Sequence, residues 1–597
     1  MSARKKDGDR FAWVNYIGLG ILLICYAGAI WNVIKVKRQD AGENVIRIVH
    51  WQLELGVRDG LQTIIDEFEA YKAAQGKEVE IIQIPIPERA YTQYVTTQLI
   101  GGTAPDMIQI GKFPLEYLGR YFHPLSKDVQ SPNPFLARRL EELKEVENPT
   151  DDQTERIELL DYLADQPWMD SFTDGLRAQF EKKFQEYYGV GFSTFTVRMF
   201  YNKDIFERVL GHSRPPETYR EALEFCRRIQ EYAEEHNPDL VPIAGSKYQV
   251  EWLRQRFLAS MTADLNREYD LDRSGQAEGE EKLMAMLRGE FTPYNPQYRG
   301  ALQAMQNLSE FFPKGFMALG REDAGFDFVQ GDAAMITSGS WDALSFLKKI
   351  SNQPKESQFE VGVFDMPAVS SDDPEFGQYA DGRSSEANAG TGFAFGITRY
   401  TRNKPLCIEF LQYCTTPRSN AKLNKIAGWI PVVHGAEPAD LLKPFMPNYV
   451  GYFGRVDFEI MKDGKALLLE EQEYWPLISQ EVDYEKYAED LWEDLPTAAA
   501  TDFKRLYDGF TESIPNRQAR RSAYLAGVVL EGEESGTRAE REKRLLRSLE
   551  PLLRQQLGQL RFDRLLELTK EAAEDAGSAD SEFNQTFHRA LKRELNR

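Results

Sequence analysis

The 597-residue chain is poor in the residues that usually announce chemistry, with four cysteines and six histidines. Cys25 lies in an apolar stretch, and Cys226 stands alone. Cys407 and Cys414 are seven positions apart in a segment that reads as helix, about 10 Å along its axis and too far for a disulfide. No disulfide framework is expected. The histidines show no HxxxH or Cys-rich spacing, and no calcium loop of the DxDxDG kind is apparent, so no metal or cofactor is expected. Acidic residues outnumber basic ones, 94 to 72. A net charge of −22 excludes a nucleic-acid partner, because phosphate binding needs a basic surface that releases counterions. No GxSxG elbow, P-loop or glycine-rich dinucleotide turn falls where strand and helix would demand it. Paired carboxylates, the signature of a glycosidase, carry no weight among 94 acidic residues, where chance pairs are inevitable.

What is present suits a folded chain of more than one lobe. Apolar residues make up 42% and charged residues 28%, too apolar for wholesale disorder, and the length exceeds what one core supports. The stretch Phe11 to Ile34 has no formal charge and as a helix would span about 36 Å, enough to cross a bilayer. Trp13, Tyr16 and Trp31 sit near its ends, where amphipathic rings prefer the headgroup level. It exceeds the apolar run of a cleaved signal peptide, although Ala27-Gly28-Ala29 offers a cut site and LLIC at Cys25 resembles a lipobox with Ile24 in place of the small residue. The expectation is an uncleaved anchor at 11–34, between an N-terminus at 1–10 and a linker at 35–44. Basic residues on both flanks leave the orientation open.

The body alternates strand and helix. IRIVHW at Ile46–Trp51 reads as a buried strand, followed by an amphipathic helix, then VEIIQIPI, a second helix and MIQI. This implies a parallel sheet covered on both faces, with ligands beyond the carboxyl ends of its strands. Four further segments resemble the family 1 extracellular solute-binding proteins, the group that includes maltose-binding and other oligosaccharide-binding proteins. They are IGGTAPDMI (Ile100–Ile108), YYGVGFSTFTVRMFYNKDIFERVLGHSRPPETYREALEFCRRI, FVQGDAAMITSGSW (Phe328–Trp341) and GTGFAFGITRYTRNKPLCIEFLQYCTTPRSNAKLNKIAGWIPVV. Their order and spacing carry the resemblance from about Ile46 to about residue 490. Gly191 stands where relatives usually have proline, and 131–166 looks like a charged helical insertion.

The resemblance implies a two-lobed α/β fold of the type II periplasmic-binding kind, with an N-terminal transmembrane helix and a C-terminal helical extension. Its expected partition is 45–194 and 359–390 in lobe 1, 195–358 and 391–495 in lobe 2, and 496–597 as the extension. Chain crossings are expected near Ser193, Gly390 and Phe359. The implied function is capture of a small polar solute, a carbohydrate first of all, for the permease subunits of an ATP-binding-cassette importer. It also places the short N-terminus in the cytoplasm and the large domain outside. A membrane-tethered sensor or a glycan-cleaving enzyme are the competing classes.

Sugar recognition needs flat aromatic faces against the apolar side of a pyranose and polar groups for its hydroxyls. Trp341, after Ser340, matches a family position that stacks on sugar. Trp51 ends the first strand, with Gln52 and Glu54 in the following loop. Lys112 and Phe113 follow the third strand. Phe195 matches an acidic ligand contact of the maltose protein, a replacement that argues against maltose. Tyr248 and Trp252 lie at a loop and helix start, and Trp429 precedes a Pro turn, where packing competes with binding as its role.

Beyond about Leu495 the sequence is charged and helix-forming. EGEESGTRAE (Glu531–Glu540) reads as a break, and Leu549, Leu553, Leu557 and Leu560 then form one helical stripe. Pro551 and Gly558 weaken any long coiled coil. An extra hairpin packed on lobe 2 is the leading expectation, and a helix for a partner or a second copy is the other.

Overall fold

The computed structural model describes residues 44–596 apart from 54–55, 114–115, 145–149, 182–183, 185, 387–389, 453, 535–537 and 577–581. The expected anchor Phe11–Ile34 and its flanks lie outside the described residues. Among the described residues, no helix is long and apolar enough to cross a membrane.

Strand β1 (Val45–His50) shows why the first sheet forms a middle layer. Ile46 and Ile48 point into one apolar cluster and Val49 into another, both fully buried, so helices must cover both faces. β2 (Glu80–Pro85) and β3 (Met107–Gln109) flank β1 in parallel. A small ribbon, β4 (Phe180–Glu181) with β5 (Glu186–Tyr187), stands apart. β6 (Val190–Thr194) enters the first sheet, and the chain then crosses at Phe195 and Thr196 into β7 (Val197–Asn202) of a second sheet. There, β8 (Val241–Ala244), β9 (Ala333–Gly339) and β10 (Val361–Phe364) complete the order β10-β7-β9-β8. β11 (Thr391–Ile397) and β12 (Ile430–Pro431) return to the first sheet, whose order is β12-β6-β11-β3-β1-β2. In β7, Met199 and Tyr201 join one core cluster and Phe200 another, the same two-faced burial as in β1.

Local chemistry places the connections. In the Tyr-Asn-Lys-Asp segment, Asn202 Oδ1 accepts from the backbone N–H of Asp204 and Ile205, both at 3.0 Å. It thereby starts the helix Lys203–Leu210, which Gly211 ends in the left-handed region at φ 80°.

Strand pairing corrects the expected partition. β10 pairs antiparallel with β7, so 359–364 belongs to the second lobe, whereas β11 pairs with both β3 and β6 and belongs to the first. The third crossing follows β12 rather than lying near Phe359. Periodicity marks a segment as strand without naming its neighbour, and these partners are far apart in sequence. The boundary at 495 also moves, because one helix, Tyr484–Glu534, runs through it and buries Leu491, Leu495, Ala499 and Phe503 in the second lobe's core.

Helices Arg538–Ala576 and Glu582–Leu595 fold back onto that core through Leu566, Ala573, Phe583, Phe587 and Leu591. Pro551 and Gly558 lie inside the first of these without ending it. Leu553, Leu557 and Leu560 of the expected stripe stay exposed. The insertion forms helices Pro134–Lys144 and Asp151–Leu163, which share an apolar seam of Leu136, Leu140, Leu160 and Leu163. A cavity of about 550 Å³ beside it is lined by Tyr71, Phe135, Arg138, Arg156, Tyr413 and Arg418, all first-lobe residues. The three described cysteines, Cys226, Cys407 and Cys414, are buried free thiols.

Candidate ligand site at the lobe crossings

Where β6 passes into β7, backbone geometry draws five aromatic rings together. Phe195 lies in the crossing itself, over Gly392 of β11, where a Cβ would meet its ring at 2.8 Å. Ser340 N–H donates to Thr196 O at 2.9 Å, which fixes the end of β9 against the same crossing. Trp341 then folds back over Gly339, where a Cβ would meet the indole at 2.2 Å. Phe195 packs edge-on against Trp341 and Trp429, with centroids 5.8 and 5.0 Å away. Trp252 meets Trp341 at 5.6 Å, and Phe393 meets Trp429 at 5.1 Å. Trp252 and Trp341 come from the second lobe, Phe393 and Trp429 from the first. Phe393 holds φ 47°, an uncommon conformation for a residue with a side chain.

The polar groups among these rings are under-used. Ser340 Oγ and Trp429 Nε1 are buried without a hydrogen-bond partner. The indole N–H of Trp341 lies beside the Asp342 carboxylate without a bond of good geometry. Burial pushes the Asp342 carboxyl up, although Ser338 Oγ donates to it at 2.6 Å. Buried polar atoms are nearly always paired, so several orphans in one place call for an explanation.

The remaining expected residues fall elsewhere. Lys112 Nζ sits 5.7 Å over the Trp51 ring and pairs with Glu88 at 2.5 Å. Trp51 also packs edge-on against Tyr91 at 4.9 Å. Gln52 is buried. Phe113 stacks on Phe122 at 5.4 Å and packs, half-buried, against a core cluster of the first lobe. Among the described residues, no ring contact joins this group to the crossing cluster. Tyr248 is 48% exposed, with Lys247 over its ring, and it stays outside the cluster. Glu54 lies outside the described residues. His50, at the end of β1, links the two regions loosely, meeting Phe393 edge-on at 6.0 Å. Burial lowers its pKa to about 4, and its Nε2 pairs with Gln83 Oε1 at 2.8 Å.

Sequence reasoning missed the ionic core of the crossings. Arg198, buried in β7, holds Glu386 through Nη1 at 2.6 Å and Nη2 at 2.8 Å. Arg256 donates to Glu386 at 2.9 Å and also to Asp365, which Arg383 reaches at 3.0 Å. Burial pushes the Glu386 carboxyl up, but hydrogen bonds and charge from Arg198, with the charge of Arg256, outweigh it and hold the group below its usual range. Thr194 Oγ1 donates to Gly390 O at 3.0 Å and Thr196 Oγ1 to Phe445 O at 2.5 Å, lacing the three crossings together. Residues 188 positions apart in sequence leave no local signal for such a pairing.

Two lobes, three crossings and an antiparallel return strand in the first sheet frame a ligand-binding architecture. The family model for bacterial extracellular solute-binding proteins matches residues 63–447, well over half of the chain. The chain belongs to this family. Solved structures similar to this solute-binding protein include the GacH receptor of Streptomyces glaucescens, described in complex with acarbose. It is 13% identical, with a TM-score of 0.48, over 75% of this chain and 96% of that one. The maltose-bound MalE3 of T. maritima is 15% identical with the same TM-score, over 76% and 98%. A chitin oligosaccharide binding protein is 14% identical with a TM-score of 0.47, over 76% and 99%. Membership rests on the family match, not on likenesses of this size.

Proposed function

We propose that this solute-binding protein captures a carbohydrate or related polar solute between its lobes and delivers it to the permease subunits of an ATP-binding-cassette importer. Phe11–Ile34 serves as its membrane anchor, and the large domain lies outside the cytoplasm. The observation that carries the ligand class is the ring cluster Trp252, Trp341, Phe195 and Trp429, drawn from both lobes and edged by the orphaned Ser340 Oγ and Trp429 Nε1. Aromatic faces suit the apolar side of a pyranose. The unused donors suit its hydroxyls, each of which would cost about 1–3 kcal/mol if buried unpaired.

Ligand contacts from both lobes exist together only when the lobes are closed, so binding shifts the population toward closure. Trp51, Lys112 and Gln52 supply the first lobe's edge of the site, and Trp341 with Trp252 the second lobe's. The role is binding, with no bond made or broken in the solute.

Thermal-shift screening of residues 44–597 against sugars, polyols, amino acids and peptides tests this reading. A few related carbohydrates are expected to raise the melting temperature by preferential binding to the folded form. A response confined to amino acids or peptides would overturn the ligand class. For the anchor, the full chain is expected in the membrane fraction and the 44–597 fragment in the soluble one, and equal partitioning would remove Phe11–Ile34 from that role.

A further inference from the structure

Between helix Ala263–Tyr269 and helix Gly279–Leu287 runs the sequence DLDRSGQAEGEE, from Asp270 to Glu281. Taking Asp270 as its first position, oxygen-bearing side chains stand at the first, third, fifth, ninth and twelfth positions: Asp270, Asp272, Ser274, Glu278 and Glu281. Gly275 takes the sixth, and the second helix begins at the tenth. That is the twelve-residue pattern of a helix–loop–helix calcium site, with its glycine turn and final glutamate. A strict DxDxDG template passes over it because Ser274 replaces an acid at the fifth position. A hydroxyl is still an oxygen ligand.

The fold assembles what the pattern promises. One carboxylate oxygen from each of Asp270, Asp272 and Glu281 lies within 4.8 Å of the others. Gly275 turns the loop at φ 96°, in the left-handed region. Asp270 Oδ2 accepts from Gly275 N–H at 2.8 Å, and Glu281 accepts from Leu271 N–H at 2.6 Å and Glu278 N–H at 2.8 Å, which orients both carboxylates. Glu281 is only 1% exposed and Asp270 6%. Among the described residues, no ion pair reaches either of them or Asp272. The neighbouring cations are engaged elsewhere, Arg267 with Asp264 and Lys282 with Asp457. Buried carboxylates crowded by like charge and lacking a counter-ion are costly, and a divalent cation removes that cost.

We propose that Asp270–Glu281 is a Ca²⁺ site in which Asp270, Asp272, Ser274, Glu281 and the Gln276 carbonyl supply oxygen ligands. Its effect falls on the C-terminal extension. Every residue of Gly279–Leu287 is buried, and the extension is bonded to that helix. Thr569 Oγ1 donates to Glu280 O at 3.4 Å, and Asn584 Nδ2 donates to Leu287 O at 2.9 Å. Bound Ca²⁺ fixes the start of this helix and so the seat of the extension.

The test uses the full chain, stripped with a chelator and titrated with CaCl₂, with MgCl₂ as comparator. Calorimetry is expected to show one saturable Ca²⁺ event in the range of about 10⁻⁴–10⁻³ M or tighter. The melting temperature should rise by about 2–4 °C at saturation, and hydrogen exchange should slow across 279–287 and 565–595. Asp272→Asn, at a half-exposed position that tolerates the change, and Glu281→Gln should each abolish the saturable event. Absence of that event in the native chain, or its survival in a folded Asp272→Asn variant, would overturn the site.

Discussion

All three guanidinium nitrogens of Arg198 donate hydrogen bonds, to Glu386, Val197 O, Pro444 O and Met446 O, and Glu386 is bonded in turn by Arg256 and the Asn448 N–H. Three residues earlier in the chain, Phe195 sits among indoles whose N–H groups find no well-formed partner. Both regions belong to the same set of crossings, yet one is polar and satisfied while the other is apolar with idle donors. A saturated buried network resists change, because removing one member strands the rest. An unsaturated one has interactions left to give, and a guest with hydroxyls can take them up.

The sharpest way to break the contrast is Glu386→Ala, which takes from buried Arg198 its two-pronged carboxylate partner and leaves it only the more distant Asp365, at 3.9 Å, and backbone carbonyls. A stability loss of about 3–5 kcal/mol is expected in urea denaturation of residues 44–597. A loss below about 1 kcal/mol would mean that the network does not hold the crossings. Next in size is the pH response of His50. Its folded pKa of about 4 lies below the unfolded value near 6.5, so the unfolded chain binds the proton first as pH falls. The His50 contribution is therefore complete above about pH 6.5 and declines toward pH 4, by about 3 kcal/mol in all. His50→Gln should flatten that limb of the stability profile, and an unchanged limb would assign it to other groups.

On the unsaturated side, Trp341→Ala should weaken binding of the best carbohydrate from the screen by about 2 kcal/mol, about thirty-fold, with the fold retained. Unchanged affinity would remove Trp341 from the site. The smallest and most discriminating change is Trp429→Phe, which keeps a ring and deletes the idle N–H. Stability should stay within about 1 kcal/mol. Affinity should fall about three- to ten-fold where that N–H serves the ligand, and no fall would leave Trp429 as packing alone.

Much of the body is legible in the sequence because its signals are local. The run Ile46–Trp51 reads as a buried strand from its own residues, and Ile46, Ile48 and Val49 are buried in β1. The crossing cluster was within reach for the same reason, since Phe195, Ser340, Trp341 and Trp429 all sit at strand ends. The sheet to which β11 returns was misassigned, because pairing with β3 and β6 depends on residues hundreds of positions away. The Arg198–Glu386–Arg256–Asp365 network was invisible on the same grounds. Phe113 reads as a site residue by position, and its half-buried ring stacks on Phe122. The leucine stripe was legible as a helix face, yet amphipathicity alone does not say what covers it.

The 51-residue helix Tyr484–Glu534 has a mechanical consequence of its own. Its first part is embedded in the second lobe as far as Phe503, so it must turn with that lobe as one solid piece. From Phe503 to Glu534 it extends by about 46 Å at 1.5 Å per residue. By simple trigonometry each degree of lobe rotation sweeps its far tip through roughly 0.8 Å. In the closure proposed above, a rotation of about ten degrees would carry that far tip through roughly 8 Å.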